Sequence, residues 1–219
     1  MDLLIFDLDG TLIDSRLDLA NAVNATLAHL GRAPLSNERV YQYVGNGAPV
    51  LVRRAMGEDA AEPEFQEALE YFLVFYREHD LDRTTLYPGV KESLDRLAAA
   101  GKRMAVLTNK PVAMSRRIVE GLGVSSYFFR VYGGNSFEFK KPHPFGALAL
   151  MKEAGVSHEQ TLIVGDSSVD ILTARNAGVA CCGVTYGFQP ETLEDPPPDL
   201  KVDRMEEMVD WVLKQPMNR

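Results

Sequence analysis

The first apolar stretch, Leu3-Leu4-Ile5-Phe6, is continuous instead of alternating. Four apolar residues in a row suit a strand buried on both faces, as in a parallel sheet. The run leads into Asp7-Leu8-Asp9-Gly10-Thr11, where Gly10 lets the chain turn sharply. From Leu19 the period lengthens. Leu19, Val23, Leu27 and Leu30 recur at helical spacing and Gly31 stops them. Ser36 is placed to cap a second helix reaching about residue 44, and Gly45-Asn46-Gly47 breaks it. Pro49 suits the first turn of a third helix, which Gly57 ends, and Pro63 opens a fourth with Phe65, Leu69, Phe72, Leu73 and Tyr76 on one face. Residues 16 to about 82 therefore predict helices and no strand.

Beyond Tyr87-Pro88-Gly89 the pattern alternates. Helices are expected over 90–100, 111–122, 144–154 and 169–177, and strands over 103–107, 128–132, 161–164 and 181–185. A proline-rich loop over 187–198 precedes a last helix over 205–213. Strands alternating with helices of this length mean a parallel sheet with helices on both faces. The fold class expected is α/β: a Rossmann-like parallel-sheet core from residues 1–15 plus 84–219, with a helical insert over 16–83 hanging above the strand ends that carry Asp7 and Asp9.

Composition narrows the function classes. Apolar residues make up 46% of the 219 and charged residues 25%, ordinary values for a globular protein. Twenty-three basic and 31 acidic side chains give a net charge of −8. That balance argues against nucleic acid and anionic membrane surfaces as partners, and an anionic substrate would need a locally positive pocket. The adjacent Cys181 and Cys182 suit small core residues in a reducing compartment. With no basic, uninterrupted apolar leader and no run of about 18 apolar residues, the expected location is cytoplasmic. Monomer and homodimer both stay open.

The polar residues at predicted strand ends carry the candidate chemistry. Residues two apart in a strand face the same side, so Asp7 and Asp9 would repel unless compensated. A hard divalent cation such as Mg²⁺ answers that need, a solvated Asp-rich turn being the alternative. An EF-hand loop is excluded, because Gly10 falls at loop position 4 instead of 6 and Asp18 stands where the twelfth-position Glu belongs. Thr108-Asn109 could hold a phosphate oxygen at the helix opened by Pro111, or be a common turn. Of Lys140-Lys141, one lysine could bind phosphate as a point charge, or both could be solvated. In Gly165-Asp166-Ser167-Ser168-Val169-Asp170, Asp166 offers a third carboxylate at a strand end, while Asp170 either shares a helix face with it or only caps the helix. All these segments fall on one edge of the expected sheet.

Together the segments resemble the haloacid dehalogenase superfamily of aspartate-nucleophile phosphohydrolases. Asp7-Leu8-Asp9-Gly10-Thr11, Leu107-Thr108-Asn109, Lys141-Pro142 and Gly165-Asp166 with Asp170 are similar to its four motifs, and the insert to its helical (C1-type) cap. Val44-Gly45-Asn46-Gly47-Ala48, Thr108-Asn109-Lys110-Pro111 and Thr185-Tyr186-Gly187 resemble its phosphoglycolate phosphatase branch, from which Gly187-Phe188-Gln189-Pro190 departs. The resemblance implies a Mg²⁺-dependent phosphatase acting on a small phosphate monoester, 2-phosphoglycolate first. It implies Asp7 as nucleophile, Asp9 as acid and base, and Mg²⁺ on Asp7, the Asp9 carbonyl and Asp166. Phosphate would meet Gly10, Thr11, Thr108, Asn109 and Lys141, with Ser167 and Asp170 in support. Gly45, Asn46, Gly47 and Arg54 would approach the substrate carboxylate. A sugar-phosphate, nucleotide or pyrophosphate hydrolase, a phosphoglucomutase, and a receiver-like Mg²⁺/phosphate-binding module remain rivals.

Overall fold

The computed structural model describes residues 1–215. The elements run in the order β1 (Leu3–Phe6), β2 (Ile13–Asp14), α1 (Arg16–His29), α2 (Asn37–Tyr41), α3 (Ala48–Met56), α4 (Glu62–His79), β3 (Thr85–Leu86), α5 (Val90–Ala99), β4 (Arg103–Leu107), α6 (Val112–Gly121), β5 (Arg130–Tyr132), α7 (Phe145–Ala154), β6 (Thr161–Gly165), α8 (Ser168–Ala177), β7 (Ala180–Val184), β8 (Leu200–Val202) and α9 (Met205–Lys214). Six strands form one parallel sheet in the order β5-β4-β1-β6-β7-β8.

Strand periodicity sorts the core. In β1, Leu4 and Phe6 join the cluster containing Val90, Leu94 and Leu97 of α5, Ile118 of α6, and Met208 and Val209 of α9. Leu3 and Ile5 turn the other way, onto Leu150 and Met151 of α7 and Ile171 and Ala174 of α8. The adjacent cysteines follow the same rule: Cys182 faces the first layer, Cys181 the second, and both are buried free thiols. The chain leaves β1 to be flanked by β4 on one side and β6 on the other, the crevice where open α/β sheets take their ligands.

The four helices α1–α4 build a separate apolar cluster with Leu19, Val23, Leu51, Phe65, Phe72 and Tyr76 at its heart; Met114 of α6 and the partly buried Phe188 reach into it from the sheet side. Each aromatic of α4 buried there contributes roughly 1.5–3 kcal/mol. The predicted second helix is shorter than expected. Ser36 does cap it, accepting from the Arg39 N–H at 3.3 Å, but the helix ends at Tyr41, and residues 42–47 form the turn above the sheet.

Three short strands were not foreseen. β2 and β3 pair antiparallel, Ile13 with Leu86 and Asp14 with Thr85, where the chain enters and leaves the helical layer. Asp18, buried in the first turn of α1, accepts from the Arg83 N–H at 2.9 Å and the Thr84 N–H and hydroxyl at 2.8 Å, fastening the return segment to the entry segment. β8 adds an edge to the sheet beyond the proline-rich loop. No helix among the described residues is long and apolar enough to cross a membrane.

Candidate active site

Three neighbouring strands deliver the candidate residues: Asp7 follows β1, Thr108 follows β4 and Asp166 follows β6. Lys141 arrives from the loop before α7. Its ammonium lies 2.9 Å from Asp7 Oδ1 and donates to Asp170 Oδ1 at 2.6 Å, and its side chain is only 3% exposed. Asp170 sits inside the first turn of α8, where its Oδ2 accepts from the Ser167 N–H at 3.2 Å and hydroxyl at 2.9 Å. Asp166 precedes that helix, so the two carboxylates do not share a helical face. Asp166 Oδ2 instead accepts from the Phe188 N–H at 2.6 Å, and its Oδ1 from the Thr11 hydroxyl at 3.4 Å.

Carboxylate oxygens of Asp7, Asp166 and Asp170 lie within 4.8 Å of one another. Burial pushes the Asp7 carboxyl up to about 6, although Lys141 draws it down. Burial, then the charges of Asp170 and Asp7, hold Asp166 well above the usual carboxylate range. Burial alone would lower the Lys141 ammonium, but Asp170 and Asp7 more than reverse this. Three carboxylates against one ammonium leave the cluster short of positive charge. Asp170 is already committed to Lys141 and Ser167, so Asp7 and Asp166 are the carboxylates left to face an ion, and an all-oxygen set suits a hard divalent cation such as Mg²⁺.

Two glycines make room for Asp166. Gly10 has φ +80°, and a Cβ there would stand 2.2 Å from Asp166 Oδ2; a Cβ on Gly187 would stand 2.2 Å from Asp166 Cβ. Gly10→Ala should thus displace a carboxylate that an ion on this cluster would need. We expect Mg²⁺ affinity to fall about tenfold by calorimetry while far-ultraviolet circular dichroism is retained. Unchanged affinity would show that Asp166 can yield without consequence.

Asp9 behaves differently from the expectation that it stands beside Asp7. The strand ends at Phe6, so strand alternation no longer governs either residue, and each finds its own lysine. Lys110, buried just after Thr108-Asn109, donates to both Asp9 oxygens at 3.0 Å, and the Ser15 hydroxyl donates to Asp9 Oδ1 at 2.5 Å. The third Lys110 contact is the Tyr76 hydroxyl of α4, at 2.7 Å.

A cavity of about 50 Å³ lies between the sheet edge and the helices. Asp7, Asp9, Thr108, Asn109, Lys110, Asp166 and Ser167 form its polar floor; Leu19, Val44, Leu51, Phe72, Met114 and Phe188 supply an apolar wall; Gly45, Gly47 and Ala48 border it at the start of α3. The turn above it is tied down through its carbonyls. Asn109 Nδ2 donates to Gly45 at 3.2 Å, Lys140 Nζ to Asn46 at 2.7 Å, and Gln189 Nε2 to Val44 at 2.9 Å.

Several expected contacts are not on the lining. Gly10 and Thr11 lie buried behind Asp166, and the Thr11 carbonyl accepts from the Tyr186 hydroxyl at 2.9 Å. Arg54 turns away from the buried stripe of α3, its Nη1 donating to the Tyr43 carbonyl at 3.4 Å, and with Asn46 it borders a separate surface groove beside Arg39 and Glu58. The expectation that Arg54 approaches a ligand in the cavity is therefore corrected. Conversely, Lys110, Tyr76, Phe188 and Gln189 were missed. Lys110 lay inside a segment already noticed, and Phe188-Gln189 inside the one that departs from the phosphoglycolate phosphatase branch.

Fold and comparisons agree on the class of protein: residues 4–184 match the family described as haloacid dehalogenase-like hydrolase, to which the chain belongs. It is 42% identical over 217 residues to a phosphoglycolate phosphatase of Vibrio parahaemolyticus serotype O3:K6, covering 96% of this chain and 95% of the relative. A phosphoglycolate phosphatase of Pseudomonas fluorescens Pf0-1 is 41% identical, with 94% and 78% covered. The crystal structure of a predicted phosphoglycolate phosphatase from Haemophilus somnus 129pt superposes with a TM-score of 0.91 at 35% identity, covering 96% of this chain and 97% of that one.

Proposed function

We propose that the chain is a Mg²⁺-dependent phosphatase that hydrolyses a small phosphate monoester, 2-phosphoglycolate, to glycolate and phosphate. The observation that carries this reading is the convergence of Asp7, Asp9, Thr108 and Asp166 past the ends of adjacent strands, with Lys141 brought onto Asp7 by the loop before α7, beneath a small cavity. The relatives' names support this substrate, and the cavity's size agrees. It is far smaller than the roughly 300–1,000 Å³ of pockets for larger ligands. Its apolar wall offers little to the hydroxyls of a sugar.

Asp7 Oδ1 is held by the Leu8 N–H at 2.7 Å and by Lys141, which leaves Oδ2 to attack phosphorus. The bond from phosphorus to the ester oxygen breaks as the new one forms, giving an aspartyl-phosphate. Asp9 gives its proton to the departing alkoxide, then takes one from the water that releases phosphate and frees Asp7. The Thr108 hydroxyl and the Lys141 ammonium meet the phosphoryl oxygens, where charge stabilisation is worth most. Mg²⁺ held by Asp7, Asp166 and the Asp9 carbonyl would offset the repulsion between carboxylate and phosphate. The substrate carboxylate fits the N-terminus of α3 at Gly47 and Ala48, where free N–H groups favour an anion. Residues 16–83 act as the cap and residues 1–15 with 84–219 as the catalytic core.

The test is phosphate release from a panel of 2-phosphoglycolate, sugar phosphates, nucleotides and pyrophosphate, with Mg²⁺ and with excess EDTA. We expect 2-phosphoglycolate to give the highest kcat/KM, with activity abolished by EDTA and restored by Mg²⁺. A higher kcat/KM for another substrate would overturn the substrate, and turnover in EDTA the metal dependence.

A further inference from the structure

Lys110 and Tyr76 have no part in the chemistry set out above, yet they are among the most deeply buried polar groups near it. Lys110 keeps a 4% exposed side chain and Tyr76 is 1% exposed. The lysine belongs to the sheet core and the tyrosine to α4 of the helical layer, so their 2.7 Å hydrogen bond spans the two. The ammonium also lies 4.5 Å from the centre of the Tyr76 ring. Packing does not require the hydroxyl: Phe72, one turn earlier and stacked on Tyr76 at 5.7 Å, fills the same cluster without one. What the hydroxyl does is fix the free end of a flexible four-carbon side chain. The fixed ammonium then holds both oxygens of Asp9, whose remaining partner, Ser15, immediately precedes α1.

Of the two side chains that grip the Asp9 carboxylate, Lys110 is thus fastened to the helical layer through Tyr76, and Ser15 stands at the entrance to α1. We propose that Tyr76 and Lys110 are positioning residues through which the seated helical layer aligns Asp9 for proton transfer. The inference rests on the reading of Asp9 as acid and base.

Tyr76→Phe removes one oxygen and keeps the ring. The readout is first-turnover release of the leaving group, which separates the proton given by Asp9 from the later hydrolysis of the aspartyl-phosphate. The alkoxide of 2-phosphoglycolate needs that proton; nitrophenolate leaves without it. The first-turnover rate for 2-phosphoglycolate should fall about tenfold or more, within the range such proton transfers contribute, and by a clearly smaller factor for p-nitrophenyl phosphate. KM for 2-phosphoglycolate should stay within about twofold, since the hydroxyl is not assigned to binding. Lys110→Met should show the same inequality, enlarged. Equal losses for both substrates, a change confined to KM, or no change in Tyr76→Phe would overturn the proposal, whether or not Lys110→Met folds. A wild-type chain that releases neither leaving group would overturn the functional reading and the inference with it; an active wild type without the inequality would overturn the inference alone.

Discussion

Asp7→Asn is expected to lower kcat by more than about 10⁴-fold while Mg²⁺ and substrate still bind, because an amide replaces the oxygen proposed to attack and the other carboxylate past β1, Asp9, has both its oxygens on Lys110. Retained turnover would remove Asp7 from the nucleophile's role. The same variant carries a stability signature. In the folded, metal-free chain the Asp7 carboxyl lies at about 6 against an ordinary 3.8. The folded state therefore holds this proton more tightly than the unfolded one. The wild type gains stability from this group as pH falls from about 6 to about 4, and above 6 the buried charge is a cost. The Asn variant lacks this gain, so its metal-free Tm should exceed the wild type's at neutral pH, with the difference closing by about pH 4. A gap that widened on acidification would contradict this electrostatic account.

Lys141→Met is the second large effect. It removes the single ammonium from a cluster in which Asp7, Asp166 and Asp170 lie within 4.8 Å. Breaking a buried ion pair on one side costs about 3–5 kcal/mol, because the remaining charge is left uncompensated. For a chain of this length that is a fall in Tm of roughly 10 °C or more. Added Mg²⁺ should restore part of it, since a cation on Asp7 and Asp166 relieves the same repulsion, but turnover should stay low because the phosphoryl oxygens have lost a partner. A Tm within about 2 °C of wild type would mean that the carboxylates are neutralised some other way.

The sheet was legible where burial on both faces forces a pattern. Leu3–Phe6 is apolar throughout because helices cover both its sides, and the carboxylates just past it stood out because ligands of such sheets bind at the carboxyl ends of the strands. β2 and β3, with two residues each, are too short to show any period. β8 hides behind three prolines, and its three residues pair only because β7 presents an open edge. Arg54 was misplaced because a turn of glycines nearby says nothing about helical phase, and on α3 the buried stripe runs through Ala48, Leu51, Val52 and Met56. Lys110 was overlooked for a related reason. Its partners stand 101 and 34 positions away, and no local pattern records so long a reach.

The chain crosses between its two parts at a single place, where Asp14 and Thr85 sit as partners in the β2–β3 ribbon. A segment whose two ends meet can be excised or replaced without rethreading the sheet, since the gap left behind is already closed. On the proposed reading the helices form a cassette set over the reaction centre. A new leaving group is then accommodated by changing residues between Arg16 and His79 while Asp7, Lys141 and Asp166 keep their places, provided position 76 still offers Lys110 a partner.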